Sequence, residues 1–205
     1  MLGALIEKEI TTPEYYPLTL NALVNACNQK TNRDPVVNYG EECVEAALES
    51  LRHRRLAATI TGAGIRAPKH RQLFGEALNL GRREIAVLCV LMLRGRQTTG
   101  ELRDRTERMH PFADIPEVES CLARLIEHEP EPLAVKLPRQ PGEKEPRYAH
   151  LLSGAPVLEQ QSYAAAPVTG STSERVSQLE SEMAGLRQEL ADLQSQFADF
   201  RKQWE

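Results

Sequence analysis

The chain has little that would tie it to a membrane, a metal or an oxidising compartment. Its longest apolar run, Ile85 to Leu93, is too short to span a bilayer, and no basic-then-apolar signal segment is evident at the start. A cytoplasmic location is therefore expected. Cys27, Cys43, Cys89 and Cys121 are widely spaced with no C-x-x-C, so neither a disulfide nor a zinc site is expected. His53, His70, His110, His128 and His150 show no H-x-x-x-H or H-E-x-x-H spacing. The Gly62 to Gly64 stretch is too short for a phosphate loop, and no serine or cysteine sits in a G-x-S-x-G context. A non-enzymatic protein without a cofactor is the expectation.

An excess of positive charge is also missing. The net charge is −4, and its distribution matters more than its sum. Residues 1–80 carry nine basic and nine acidic side chains, residues 81–154 twelve of each, and residues 155–205 four basic and eight acidic. Neither half has the basic balance of many nucleic-acid binders, but a neutral domain can gather its cations on one face. Between Ser50 and Gly75, Arg52, Arg54, Arg55, Arg66, Lys69 and Arg71 occur with no acid among them.

What the sequence does have is a repeat. VEAALESL (Val44 to Leu51) aligns with VESCLARL (Val118 to Leu125), and both follow the i, i+3, i+4, i+7 spacing of a helix with one buried stripe. Upstream, Pro17 to Cys27 aligns with Arg96 to Thr106, each a short helix entered through threonine. Thr98 and Glu101 form a T-x-x-E capping box there. Leu2 to Ile10 and Leu80 to Leu93 supply a first helix for each copy, the second closed by Gly95. Downstream the pattern becomes extended, around Gly62 and Gly64 in Leu56 to Pro68 and around Pro141 and Gly142 in Leu133 to Leu152. Each copy reads helix, helix, helix, hairpin, and a repeat of this length fits two domains of one fold.

From Ser153 to about Ser173 the composition turns to Gly, Ala, Pro, Ser and Thr, which predicts a flexible linker. Beyond it, Val176, Leu179, Met183, Leu186, Leu190, Leu193, Phe197, Phe200 and Trp204 alternate in steps of three and four, the seam of a coiled coil. With Val176 at position a, a parallel dimer sets Arg175 against Glu180 and Glu182 against Arg187. Each such pair contributes a few tenths of a kcal/mol, roughly. A homodimer through this tail is expected; the other reading folds the helix back onto its own domains.

Helix, helix, helix, hairpin is the order of a winged helix. CNQKTNRDPVVNY (Cys27 to Tyr39), IRAPKHR (Ile65 to Arg71), QTTGELRDRTERMHPFADIPEVESCLARL (Gln97 to Leu125) and PRYAHLLSG (Pro146 to Gly154) resemble the YceH-like family of bacterial tandem winged-helix proteins. The resemblance spans about residues 1–154 and implies a fold; it brings no catalytic or binding residues. The expected architecture is mainly α with small β-hairpin wings. Winged-helix domains are expected over residues 1–78 and 79–153, a linker over 154–173 and a coiled-coil helix over 174–205.

DNA binding and a protein-adaptor role remain open at this level. Residues at the start of a recognition helix normally face bases beside phosphates. Here Glu41, Glu42 and Glu45 in one copy, and Glu117 and Glu119 in the other, have the wrong sign. Acids at a helix start are explained more simply by the helix dipole, at about 0.3 to 1 kcal/mol each. Nucleic-acid contacts are expected instead from Arg52, Arg54, Arg55, Arg66, Lys69 and Arg71, with Lys30 and Arg33 adding to that face. Such contacts suit a DNA-associated transcription regulator. The same patch also suits docking of an acidic protein segment.

Overall fold

A computed structural model describes residues 1–64, 66–140 and 142–154 of the chain. The linker and the seam from Val176 to Trp204 lie outside the described residues.

Helix α1 (Leu2–Thr11) is followed by a 3-10 turn at Pro13–Tyr15, the two-residue strand β1 (Leu18–Thr19), α2 (Leu20–Cys27) and α3 (Glu41–His53). Strands β2 (Ala57–Ile60) and β3 (Lys69–Gln72) form a hairpin, and the short α4 (Phe74–Ala77) leads onward. The order then repeats with α5 (Arg82–Arg94), α6 (Thr99–Thr106), α7 (Ile115–Ile126) and the hairpin β4 (Ala134–Lys136) and β5 (Tyr148–His150). The fold is mixed: seven helices and small antiparallel sheets among the described residues.

Local chemistry places the ends of these elements. Thr19 caps α2 by accepting from the Ala22 amide at 3.3 Å. At the equivalent place Thr98 accepts from the Glu101 amide at 3.2 Å, while the Glu101 carboxylate accepts from the Thr98 amide at 2.9 Å. Both halves of the capping box are made. Gly95 ends α5 at φ 68°, a conformation that glycine adopts without a Cβ penalty.

The repeat extends to the sheets. Leu18, just before α2, pairs with His70 of β3, and Gln97, just before α6, bridges Tyr148 of β5. A third pairing therefore ties each hairpin to the entry of its second helix. In the first hairpin the return strand differs from the sequence expectation. It begins at Lys69, beyond Pro68, and residues 61–68 form the connection. Pro68 has no amide to donate to a ladder, so pairing starts after it.

The two copies are not separately packed. Residues Met1–Pro156 form one compact unit. Ala4 and Leu5 of α1 join Leu23, Val44 and Leu48 in the first copy's core. Leu2 and Ile6, on another side of the same helix, join Leu88, Leu91 and Leu122 in the second copy's core. Gly3 lets α1 and α5 approach closely, since a Cβ there would lie 2.9 Å from Leu93 Cγ.

Candidate nucleic-acid interface

Helix α3 buries Val44 and Leu48 and exposes Glu41, Glu42 and Glu45. Its basic end is closed by a left-handed turn: Arg55 has φ 58°, and the Leu56 amide donates to the Leu51 carbonyl at 2.9 Å. Glycine usually takes this position because other residues pay about 1 kcal/mol or more for it. Here an exposed arginine does.

The six cations of this tract are not equivalent. Arg52 binds Glu49 at 2.6 Å, and Arg71 lies 3.5 Å from Glu76. The tract is free of acid in sequence, yet Glu49 and Glu76 flank it and fold back onto its two ends. Such exposed pairs contribute about 0 to 1 kcal/mol and leave the arginines able to exchange partners. Arg54, Arg55, Arg66 and Lys69 are exposed and have no carboxylate at ion-pair distance among the described residues. On β3, Lys69 and Arg71 share one face of the strand. His70 points the other way, buried with Nδ1 3.1 Å from Thr59 Oγ1. Burial, with a smaller push from the Arg52 charge, lowers the His70 pKa.

Lys30 is exposed on the loop between α2 and α3. Asn28 clamps that loop, its side chain exchanging bonds of 2.9 and 2.7 Å with the backbone of Tyr39. Arg33 does not join the basic face. Its side chain is only 3% exposed and grips Glu7 of α1, with Nη2 2.6 Å from Oε2 and Nη1 3.2 Å from Oε1. The same guanidinium donates to the carbonyls of Ala26 and Asn32. Both of its Nη nitrogens are committed inside the fold and its Nε is buried without a partner among the described residues, so it is withdrawn from the set of phosphate contacts.

Two hollows have no local signature in the sequence. One, of about 580 Å³, runs between Met1, Leu51, Arg54 and Leu56 of the first copy and His128 and His150 of the second. Burial lowers the His150 pKa. The other, of about 190 Å³, is lined by Arg94, Arg105 and Arg108 together with Glu7. Among the described residues no three His, Cys, Asp or Glu side chains come together as a metal site. Cys27, Cys89 and Cys121 are buried free thiols, Cys43 is exposed, and burial pushes Cys121 up to about 12. No helix among these residues is long and apolar enough to cross a membrane.

The family model described as "Protein of unknown function, DUF480" matches residues 1–143, which takes in the first helix-and-hairpin copy and the second as far as β4. A UPF0502 protein of Solibacter usitatus is 56% identical over 188 residues, 91% of this chain and 89% of its own length. One from Opitutus terrae is 53% identical over 187 residues, 91% of this chain and 80% of its own length. A third, from Geobacter sulfurreducens, is 50% identical over 210 residues, 100% of this chain and 95% of its own length. The similarity carried by the long motifs thus extends along most of the polypeptide, and the chain belongs to the DUF480/UPF0502 family of bacterial proteins.

Proposed function

We propose that the protein is a non-enzymatic, tandem winged-helix regulator of the cytoplasm that associates with DNA through its first hairpin. The observation that carries this reading is the exposed pair Arg54 and Arg55 at the exit of α3, with Arg55 in a left-handed conformation that glycine would take at lower cost. Both side chains are exposed with no carboxylate at ion-pair distance among the described residues, which leaves their charges open to phosphates. Arg66 and Lys69 continue the same charge along the connection and the return strand. Phosphate contacts of this kind are salt-sensitive and weakly selective for sequence. Replacing Arg54, Arg55 and Arg66 together by alanine is expected to flatten the slope of log K against log salt by roughly 3. Fluorescence anisotropy of the full chain on duplex DNA at several salt concentrations measures it. An unchanged slope, or no binding at low salt, removes the hairpin from the interface.

A protein-adaptor reading has its own support. Glu41, Glu42 and Glu45 are exposed on α3, and Val36 and Tyr39 stand exposed on the loop before it. That surface combines acid with apolar area where a recognition helix would meet bases. A partner retained from cell extract at high salt and after nuclease treatment decides for this reading.

The seam from Val176 to Trp204 supports a homodimer, in which two weak sites act through effective concentration. Light scattering of the full chain at micromolar concentration is expected to give the mass of two chains. A monomer mass removes the paired tail from the proposal.

A further inference from the structure

We propose that Arg94, Arg105 and Arg108 form a binding site for a compact phosphate-bearing anion, in the hollow where α1 meets α5 and the end of α6. The proposal is independent of the DNA reading, since none of these residues belongs to the first hairpin. The hollow measures about 190 Å³. Organic ligands occupy pockets of roughly 300 to 1,000 Å³, so its size suits an inorganic anion or a single phosphate group.

The acids near the hollow are already engaged. Glu7 is held by Arg33 in a two-point pair. Asp104 bonds to its neighbour Arg103 at 3.3 Å. Arg105 lies 3.3 Å from Glu101, a carboxylate that also pairs with Arg147 at 2.9 Å. Among the described residues neither Arg94 nor Arg108 has a carboxylate at ion-pair distance. Arg94 is steered by the side-chain oxygen of Asn32, a residue itself in a left-handed conformation at φ 58°. Burial depresses the Arg94 pKa, with a smaller push from the charge of Arg105 that the carboxylates of Glu7 and Asp34 oppose.

A dianion matches the two guanidinium charges, Arg94 and Arg108, that have no carboxylate at ion-pair distance among the described residues, whereas a monocarboxylate neutralises only one of them. The guanidinium fork presents paired donors that match phosphate oxygens, and charge-assisted bonds of this kind are the strong ones. The chemistry on offer is recognition: the Thr11 hydroxyl that lines the hollow donates to the Glu7 carbonyl at 2.7 Å.

Calorimetric titration of the full chain with inorganic pyrophosphate at constant ionic strength tests the site. One saturable site per chain is expected. Arg94→Gln and Arg108→Gln should each weaken it on the order of tenfold. Arg139→Gln, on an exposed loop away from these residues in sequence, should leave it unchanged. Circular dichroism melts of each variant show that the fold persists; Arg108 is exposed and its loss removes no internal bond. Replacing Arg54, Arg55 and Arg66 should leave pyrophosphate binding intact, which separates this site from the hairpin. Absence of saturation up to about 10 mM, or equal weakening by Arg139→Gln, overturns the proposal. So does indifference to both Arg94→Gln and Arg108→Gln. A short duplex added as competitor identifies the source of the phosphate: displacement assigns the pocket to a nucleic-acid backbone, and its absence assigns it to a free phosphate compound.

Discussion

Replacing Glu7 by alanine is expected to lower the unfolding free energy by about 3 to 5 kcal/mol, read from the urea midpoint and slope. The magnitude follows from what remains after the substitution. Arg33 is 3% exposed at its side chain and Glu7 is 12% exposed, so neither charge is well hydrated. With the carboxylate gone, the guanidinium keeps its bonds to Ala26 O at 2.7 Å, Asn32 O at 2.8 Å and Gln29 Oε1 at 3.1 Å, but it loses its counter-charge in a poorly solvated place. The pair also has a positional role. It fastens the loop after α2 to α1, and that loop carries Lys30 and leads into α3. Replacing both partners by apolar residues of similar volume, Glu7→Leu with Arg33→Met, is expected to recover most of the loss, because the desolvation cost disappears along with the attraction. A loss below about 1 kcal/mol for Glu7→Ala would rank the pair with exposed ion pairs and refute its structural role.

Much of this architecture is legible because its signals are local. The stripe of Val118, Cys121, Leu122 and Leu125 appears buried along one face of α7, as its spacing requires. Thr98 with Glu101, and Gly95, mark helix ends through contacts that span only a few residues. The register between copies, Thr19 with Thr98 and Leu18 with Gln97, even carries over to the sheet pairings. What stays illegible depends on residues far apart in sequence. Two residues of β1 are too few for a period-2 pattern. Arg33 looks like any loop cation until Glu7, 26 positions earlier, is seen beside it. Arg94 and Arg105 come from different helices, and only the approach of α5 to α6 makes them neighbours. For the same reason α1 reads as one amphipathic helix, although it serves two cores.

The joint between the copies gives the second large effect: Phe74→Ala is expected to cost about 3 to 5 kcal/mol. Phe74 is fully buried, yet it sits in a four-residue helix that the sequence pattern does not announce. The Gln72 side chain sets this turn by accepting from the Phe74 amide at 2.6 Å, while its amino group donates to Glu9 Oε2. The Gln72 amide itself donates to the Tyr16 hydroxyl at 2.6 Å. The return strand of the first hairpin is thereby tied to α1 immediately before Phe74 enters the core shared with Leu88, Leu91 and Leu122. One turn later the Leu78 carbonyl lies 3.1 Å from His128 Nε2 of the second copy. Truncating the ring therefore opens a cavity at a junction pinned on both sides, where neighbours have little freedom to collapse. Phe74→Leu keeps most of the volume and is expected to cost less than about 1.5 kcal/mol. Because the copies share this core, circular dichroism should record one cooperative transition at a lowered midpoint for Phe74→Ala. If two transitions emerge and one retains the parent midpoint, the copies are energetically independent and the shared core does not couple them.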